Sequence, residues 1–175
     1  TTTIQRLYPL LTKSLEQTLS RKSGNVMHGT EPDWWDFGHA AGARAYLTVL
    51  TIRALEEYVF VSAWLRKNRS RLRGYEAMAS GLRDGLVKDL WDESSGYLLN
   101  SIGSERDRHI YMGPLLAAVY GQLPDANAQR LVATARNMLV DSSIGIRTVF
   151  PADFQTDSVK SLYKVKGNEA GDAFT

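Results

Sequence analysis

The chain has 175 residues, 43% hydrophobic, 10% aromatic and 23% charged, a composition that excludes a disordered or fibrous protein and sets one globular domain over 1–175 as the expectation. Twenty-one Lys and Arg against nineteen Asp and Glu leave a formal charge of +2, so no broad basic field proposes nucleic acid or anionic lipid as a partner. Cysteine is absent, and the three histidines are His28, His39 and His109. Disulfides, thiolate metal sites and cysteine nucleophiles are thereby removed, and neither a metal nor a cofactor is expected.

The N-terminus, TTTIQRLYPLL, lacks the charged start, long apolar run and small-residue cleavage site of a signal peptide, which directs the expectation to the cytoplasm. The first predicted helix covers 4–22, where Ile4, Leu7, Leu11, Leu15 and Leu19 recur at spacings of three and four and Gly24 ends the run. Pro9 either kinks this helix or starts its main part. Between Gly24 and Gly42 the period vanishes. The segment GNVMHGTEPDWWDFGHAAG instead crowds two Trp, a Phe, two His and three carboxylates between glycines, the most unusual composition in the chain.

A second helix is predicted over 43–65, apolar on nearly its whole circumference, as for a helix enclosed by others. Arg44, Arg53, Glu56 and Glu57 interrupt it, and an Arg near a bilayer centre costs roughly 2.5 to 3.5 kcal/mol, so it is not a membrane span. Arg53 and Glu57, four residues apart, are the plain ion pair on such a helix. The basic run RKNRSRLR (Arg66, Lys67, Arg69, Arg71, Arg73) that follows has no interleaved aromatics and reads as a solvated connection.

A third helix over 72–91 returns to a clean stripe at Leu72, Tyr75, Ala79, Leu82, Leu86 and Leu90, the pattern of an outer layer. WDESSGYLLNSI then reads as a turn at Gly96 opening into an extended piece. Two further helices, 113–122 and 125–140, are joined by Leu-Pro-Asp, where Pro124 and Asp125 restart the helix. IGIRTVFPADF is a strand or extended crossing, and 151–175 is a polar tail without a core-forming period. Helical hairpins of inner apolar and outer amphipathic helices imply an all-α chain, with minor short strands, built as a layered toroid or solenoid.

The order of segments carries a resemblance. DWWDF, the long apolar helix, an amphipathic helix ending LWDESSGYLLN, the pair YMGPLLAAVYGQLPDANAQRLVATARNML and then IGIRTVFPADF resemble the six-hairpin (α/α)6-barrel glycosidases. That group holds glycogen-debranching α-1,6-glucosidases, trehalases, processing α-glucosidases and disaccharide phosphorylases. The resemblance runs from about Asp33 to Asp153 and implies part of an α/α toroid acting on glucosidic linkages. It assigns the general acid to Asp36, within Trp35-Asp36-Phe37.

A full barrel has twelve helices and needs roughly 240 to 300 residues, so the chain is read as about half of a catalytic domain. The family's Gly-Gly-x-Trp or Gly-Pro-x-Trp segment and second catalytic carboxylate are then expected beyond Thr175. An open half-barrel leaves inner apolar faces uncovered, and self-association is the expected consequence.

Glycoside hydrolysis needs a protonated carboxylic acid beside the leaving oxygen and a second carboxylate about 6.5 to 9.5 Å away for inversion, or about 5 to 5.5 Å for retention. Asp33 and Asp36, three apart in a loop, are not presumed to be that pair, and the base stays unassigned. Trp34, Trp35 and Phe37 supply an apolar wall that raises a carboxyl pKa and stacks on a sugar face. Asp33, Glu31 and His39 would take the polar edges. Glu169 in GNEAGDAF lines the same mouth or is a solvated loop residue. The plainer reading of the loop is a helix N-terminus capped by Asp33 or Asp36, with the Trp pair filling the core.

The function expected is therefore glycoside hydrolysis of an oligo- or polysaccharide. The alternatives are a non-catalytic helical module that binds sugar or protein, or part of a disaccharide phosphorylase.

Overall fold

The computed structural model describes residues 2–29, 41–103, 106–143 and 145–151. Helix α1, Thr2–Leu19, leads into a hairpin of β1, Lys22–Ser23, and β2, Val26–Gly29. Gly24 turns the hairpin at φ 57°, a conformation that costs glycine no Cβ clash. Strand β3, Gly42–Arg44, runs without a break into α2, Ala45–Trp64. Two tethers hold this junction. The Ala45 N–H donates to the Asn100 carbonyl at 3.1 Å, and the Met27 N–H donates to Thr48 Oγ1 at 3.0 Å.

Helix α3, Arg69–Lys88, packs along α2. Its N-cap Asn68 accepts the Ser70 N–H at 2.9 Å, satisfying one of the first-turn donors that the helix cannot pair itself. The predicted stripe is the buried one: Leu72, Tyr75, Ala79, Leu82, Leu86 and Leu90 are all in the core. Next come β4, Trp91–Asp92, and β5, Tyr97–Leu98, which form a hairpin closed by Gly96 at φ 64°. Asp92 holds the turn by accepting from the Ser94 N–H and from the Ser94 and Ser95 hydroxyls.

Strands β6, Ser101–Ile102, β7, Arg106–Asp107, and β8, Ile110–Tyr111, precede a 3-10 turn at Gly113–Leu115 and a short α4, Leu116–Val119. Helix α5, Asp125–Leu139, starts after Pro124 and buries Leu131, Ala135 and Leu139. The described residues end in β9, Val140–Asp141, β10, Gly145–Ile146, and β11, Val149–Phe150.

Among the described residues all strand pairings are antiparallel. The largest sheet has the order β1-β2-β3-β6-β7, and β8 pairs with β11, β9 with β10 and β4 with β5. The architecture is therefore mixed α and β, which corrects the all-α expectation and the α/α toroid of helical hairpins with it. The physical reason is strand length: most of these strands have two residues, too few for an alternating apolar pattern to show. Of the paired segments, β10 and β11 lie in IGIRTVFPADF, where a strand or extended crossing is expected, whereas β2 lies in the aperiodic segment, β3 at the predicted start of a helix and β4 and β5 in the predicted turn.

Two smaller expectations also change. Of the α1 stripe Leu15 is in the core and Leu19 packs against it, while Ile4, Leu7 and Leu11 are exposed. Helix α2 is not enclosed along its length, since Phe60 is 69% and Trp64 53% exposed. The Arg53–Glu57 ion pair is present, and Arg53 also reaches Glu56 at 3.7 Å. No described helix is long and apolar enough to cross a membrane.

Candidate functional site

The acid-aromatic segment enters and leaves through adjacent backbone positions. Gly29 pairs with Gly42 and His28 with Ala43, so the chain on either side of residues 30–41 is hydrogen-bonded together on the five-stranded sheet. Asp33, Trp34, Trp35, Asp36, Phe37 and His39, like Glu169, lie outside the described residues. The tail 152–175 does as well.

Backbone packing at this point is unusually close. Gly42 adopts φ 99°, and a Cβ there would stand 2.0 Å from the Ile102 carbonyl oxygen. On the next residue of β6's exit, a Cβ on Gly103 would stand 2.5 Å from the Ala41 carbonyl oxygen. Glycine at both places lets β3 and β6 approach so closely.

The register then builds a polar row. Arg44 on β3 pairs with Ser101 on β6, and Ser101 pairs with Asp107 on β7. Directly opposed residues share a face of a sheet, so all three project to one side, with His28, Ala43, Ile102 and Arg106 on the other. Arg44, Ser101 and their neighbour Asn100 are each at most 5% exposed. The row starts where the polypeptide returns from 30–41 and enters α2.

Asp107 is the hub. Its Oδ1 accepts from His109 Nδ1 at 2.6 Å and from the His109 backbone N–H at 3.1 Å. Its Oδ2 accepts from Asn100 Nδ2 at 2.8 Å and from the Tyr111 hydroxyl at 3.1 Å. Burial by itself pushes this carboxyl's pKa up, but the hydrogen bonds from His109 and Asn100 outweigh it and hold the pKa below the ordinary Asp value. The group is an anion at neutral pH.

The Tyr111 backbone carbonyl in turn accepts the hydroxyl of fully buried Tyr97 at 2.6 Å. Burial drives that phenol far above its ordinary pKa, so it stays a donor. The His109 ring meets Tyr111 edge-on, with centroids 6.1 Å apart.

Sequence reasoning did not single out Asp107, Asn100 or Tyr111, and treated His109 only as one of three histidines. The available signal was Asp-x-His in RDRHIYM, which carries no weight until the strand register puts β7 on the sheet that holds both flanks of 30–41.

No family model matches the chain, and no curated protein matches it. Solved structures do share its fold. A rhamnosidase from Klebsiella oxytoca with rhamnose bound superposes with a TM-score of 0.61 at 15% identity, over 78% of this chain and 26% of that one. A GH78 family rhamnosidase of Bacillus sp. GL1 gives a TM-score of 0.63 at 16% identity, over 73% of this chain and 14% of that one. The chain thus spans about a quarter of the first enzyme and a seventh of the second. The likeness is one of fold, and extends neither to the six-hairpin group nor to a substrate.

Proposed function

We propose that the chain is part of a glycoside hydrolase that cleaves an oligo- or polysaccharide by general acid catalysis. The observation that carries this reading is the fold shared with two rhamnosidases over about three quarters of the chain. The paired strand ends around 30–41 and the buried polar row beside them support it, because sugar sites combine aromatic surfaces with a few fixed polar groups.

In this reading Asp36 is the proton donor, and the aromatic residues adjacent to it in the sequence, Trp34, Trp35 and Phe37, are of the kind that would keep a carboxyl protonated near neutral pH. As the bond from the anomeric carbon to the leaving oxygen breaks, Asp36 transfers that proton to the oxygen, and water completes the hydrolysis at the anomeric carbon. Trp34 and Trp35 shape the sugar subsite by stacking, and Asp33, His39 and Glu169 take hydroxyls.

The family resemblance directs this chemistry to glucosidic linkages. A specific observation favours a second substrate class: one solved structure sharing the fold holds rhamnose. The test is turnover by the full-length protein of 4-nitrophenyl α-glucoside, trehalose and 4-nitrophenyl α-L-rhamnoside. Sugar release from one of them is expected and selects the class. Saturable sugar binding without turnover of any glycoside would contradict the enzyme and leave the sugar-binding module in its place.

A further inference from the structure

The basic connection between α2 and α3, which takes no part in the polar row, carries a second motif. Residues Asn68-Arg69-Ser70 form Asn-x-Ser with no proline in the middle position, the acceptor sequence for an N-linked oligosaccharide. Asn25, Asn100, Asn127, Asn137 and Asn168, the other asparagines of the chain, all lack Ser or Thr two residues on.

The fold presents this triplet in a fixed and open place. Arg66 follows α2 with φ 54°, and the Lys67 N–H donates back to the Ser62 carbonyl at 2.9 Å, the left-handed turn that closes many helices. Residues 66–71 are exposed. Two of the flanking cations are drawn onto α1: the Lys67 ammonium sits 4.7 Å from the centre of the Tyr8 ring, and Arg71 pairs with Glu16.

The two ends of the Asn68 amide have separate uses. Its Oδ1 caps α3 by accepting the Ser70 N–H at 2.9 Å, and a substituent on Nδ2 leaves that oxygen in place. An N-linked group therefore keeps the cap, and a bulky hydrated chain displaces no buried surface here.

We propose that Asn68 is a modification site that carries an N-linked oligosaccharide. The transfer joins Asn68 Nδ2 to the anomeric carbon of a lipid-diphosphate-linked oligosaccharide. As that bond forms, the bond from the anomeric carbon to the diphosphate oxygen breaks. The lipid diphosphate leaves with the electron pair, and Nδ2 gives up one proton to a base of the transferase, so no oxidant or reductant enters. The site requires passage through the secretory pathway. It therefore stands against the cytoplasmic expectation, and it is independent of the glycosidase reading.

The test is the mass of peptide 58–76, released by cleavage after Glu57 and Glu76 from the full-length protein of its natural source. An attached oligosaccharide is expected, and its enzymatic release in heavy-oxygen water is expected to leave Asn68 as labelled aspartate. An unmodified Asn68 overturns the proposal.

Two variants of the full-length protein, made in a eukaryotic secretory host, separate the motif from the cap. Ser70→Ala keeps the backbone N–H that Asn68 accepts and removes the hydroxyl, so it is expected to lose the oligosaccharide entirely with Tm near the original. Ser70→Thr keeps a hydroxyl and is expected to retain the oligosaccharide. An oligosaccharide that persists in Ser70→Ala, or is absent from both Ser70→Thr and the original, overturns the assignment to Asn68.

Discussion

Gly42 and Ile102 approach so closely that a Cβ on the first would stand 2.0 Å from the carbonyl oxygen of the second. Gly42 also has φ 99°, so an alanine there is opposed both by its backbone angle and by its neighbour. Gly42→Ala is expected to destabilise the fold by roughly 3 kcal/mol. Gly24 provides the control: it has φ 57° with nothing within 4 Å of an added Cβ, and Gly24→Ala should cost only about 1 kcal/mol. Urea denaturation of the two variants measures the difference, and equal losses would contradict the close β3–β6 crossing.

Asp107 makes stability fall in acid. Its pKa lies below the ordinary Asp value in the fold, so the stabilisation is fully present above the unfolded value of about 3.9 and is lost as pH falls through the lower folded value. Asp107→Asn should therefore cost about 2 kcal/mol at neutral pH. The gap to the original protein should narrow as pH falls below about 4. Parallel stability curves across that range would show that the carboxylate does not carry the effect.

The core and the surface should respond on different scales. Leu82 is fully buried on α3, and Leu82→Ala is expected to cost about 3 kcal/mol through lost burial and the cavity it leaves. Arg53 and Glu57 form an ion pair with side chains 45% and 51% exposed. Their double-mutant coupling should be no more than about 0.5 kcal/mol, because water and salt screen such pairs. Thermal unfolding of the variants checks both.

Long periodic elements were legible in the sequence, and short paired ones were not. The stripe from Leu72 to Leu90 identifies α3 and its buried face because each position repeats a turn later. The same logic finds α1 but misjudges its face: a stripe states what a helix can bury, whereas Ile4, Leu7 and Leu11 have no covering element among the described residues. The sheet order β1-β2-β3-β6-β7 is invisible locally, since β3 pairs with a strand beyond two helices. His109 was hidden for a related reason. Its partner Asp107 is two residues away, but the sheet that joins β7 to the flanks of segment 30–41 is formed through β6 and β3, far apart in sequence. The acid-aromatic segment was legible as composition, and its assigned residues lie outside the described residues.

Asp36, proposed as the proton donor in glycoside cleavage, gives the sharpest test. The most direct measurement compares kcat of the original full-length protein with Asp36→Asn on two substrates of the accepted sugar class, an alkyl glycoside and a 2,4-dinitrophenyl glycoside. The alkyl leaving group needs protonation, so its kcat should fall by about 10² to 10⁴. The dinitrophenyl glycoside should lose much less, with sugar binding retained in both cases. Equal kcat for the original and Asp36→Asn on the alkyl glycoside would exclude Asp36 as the proton donor.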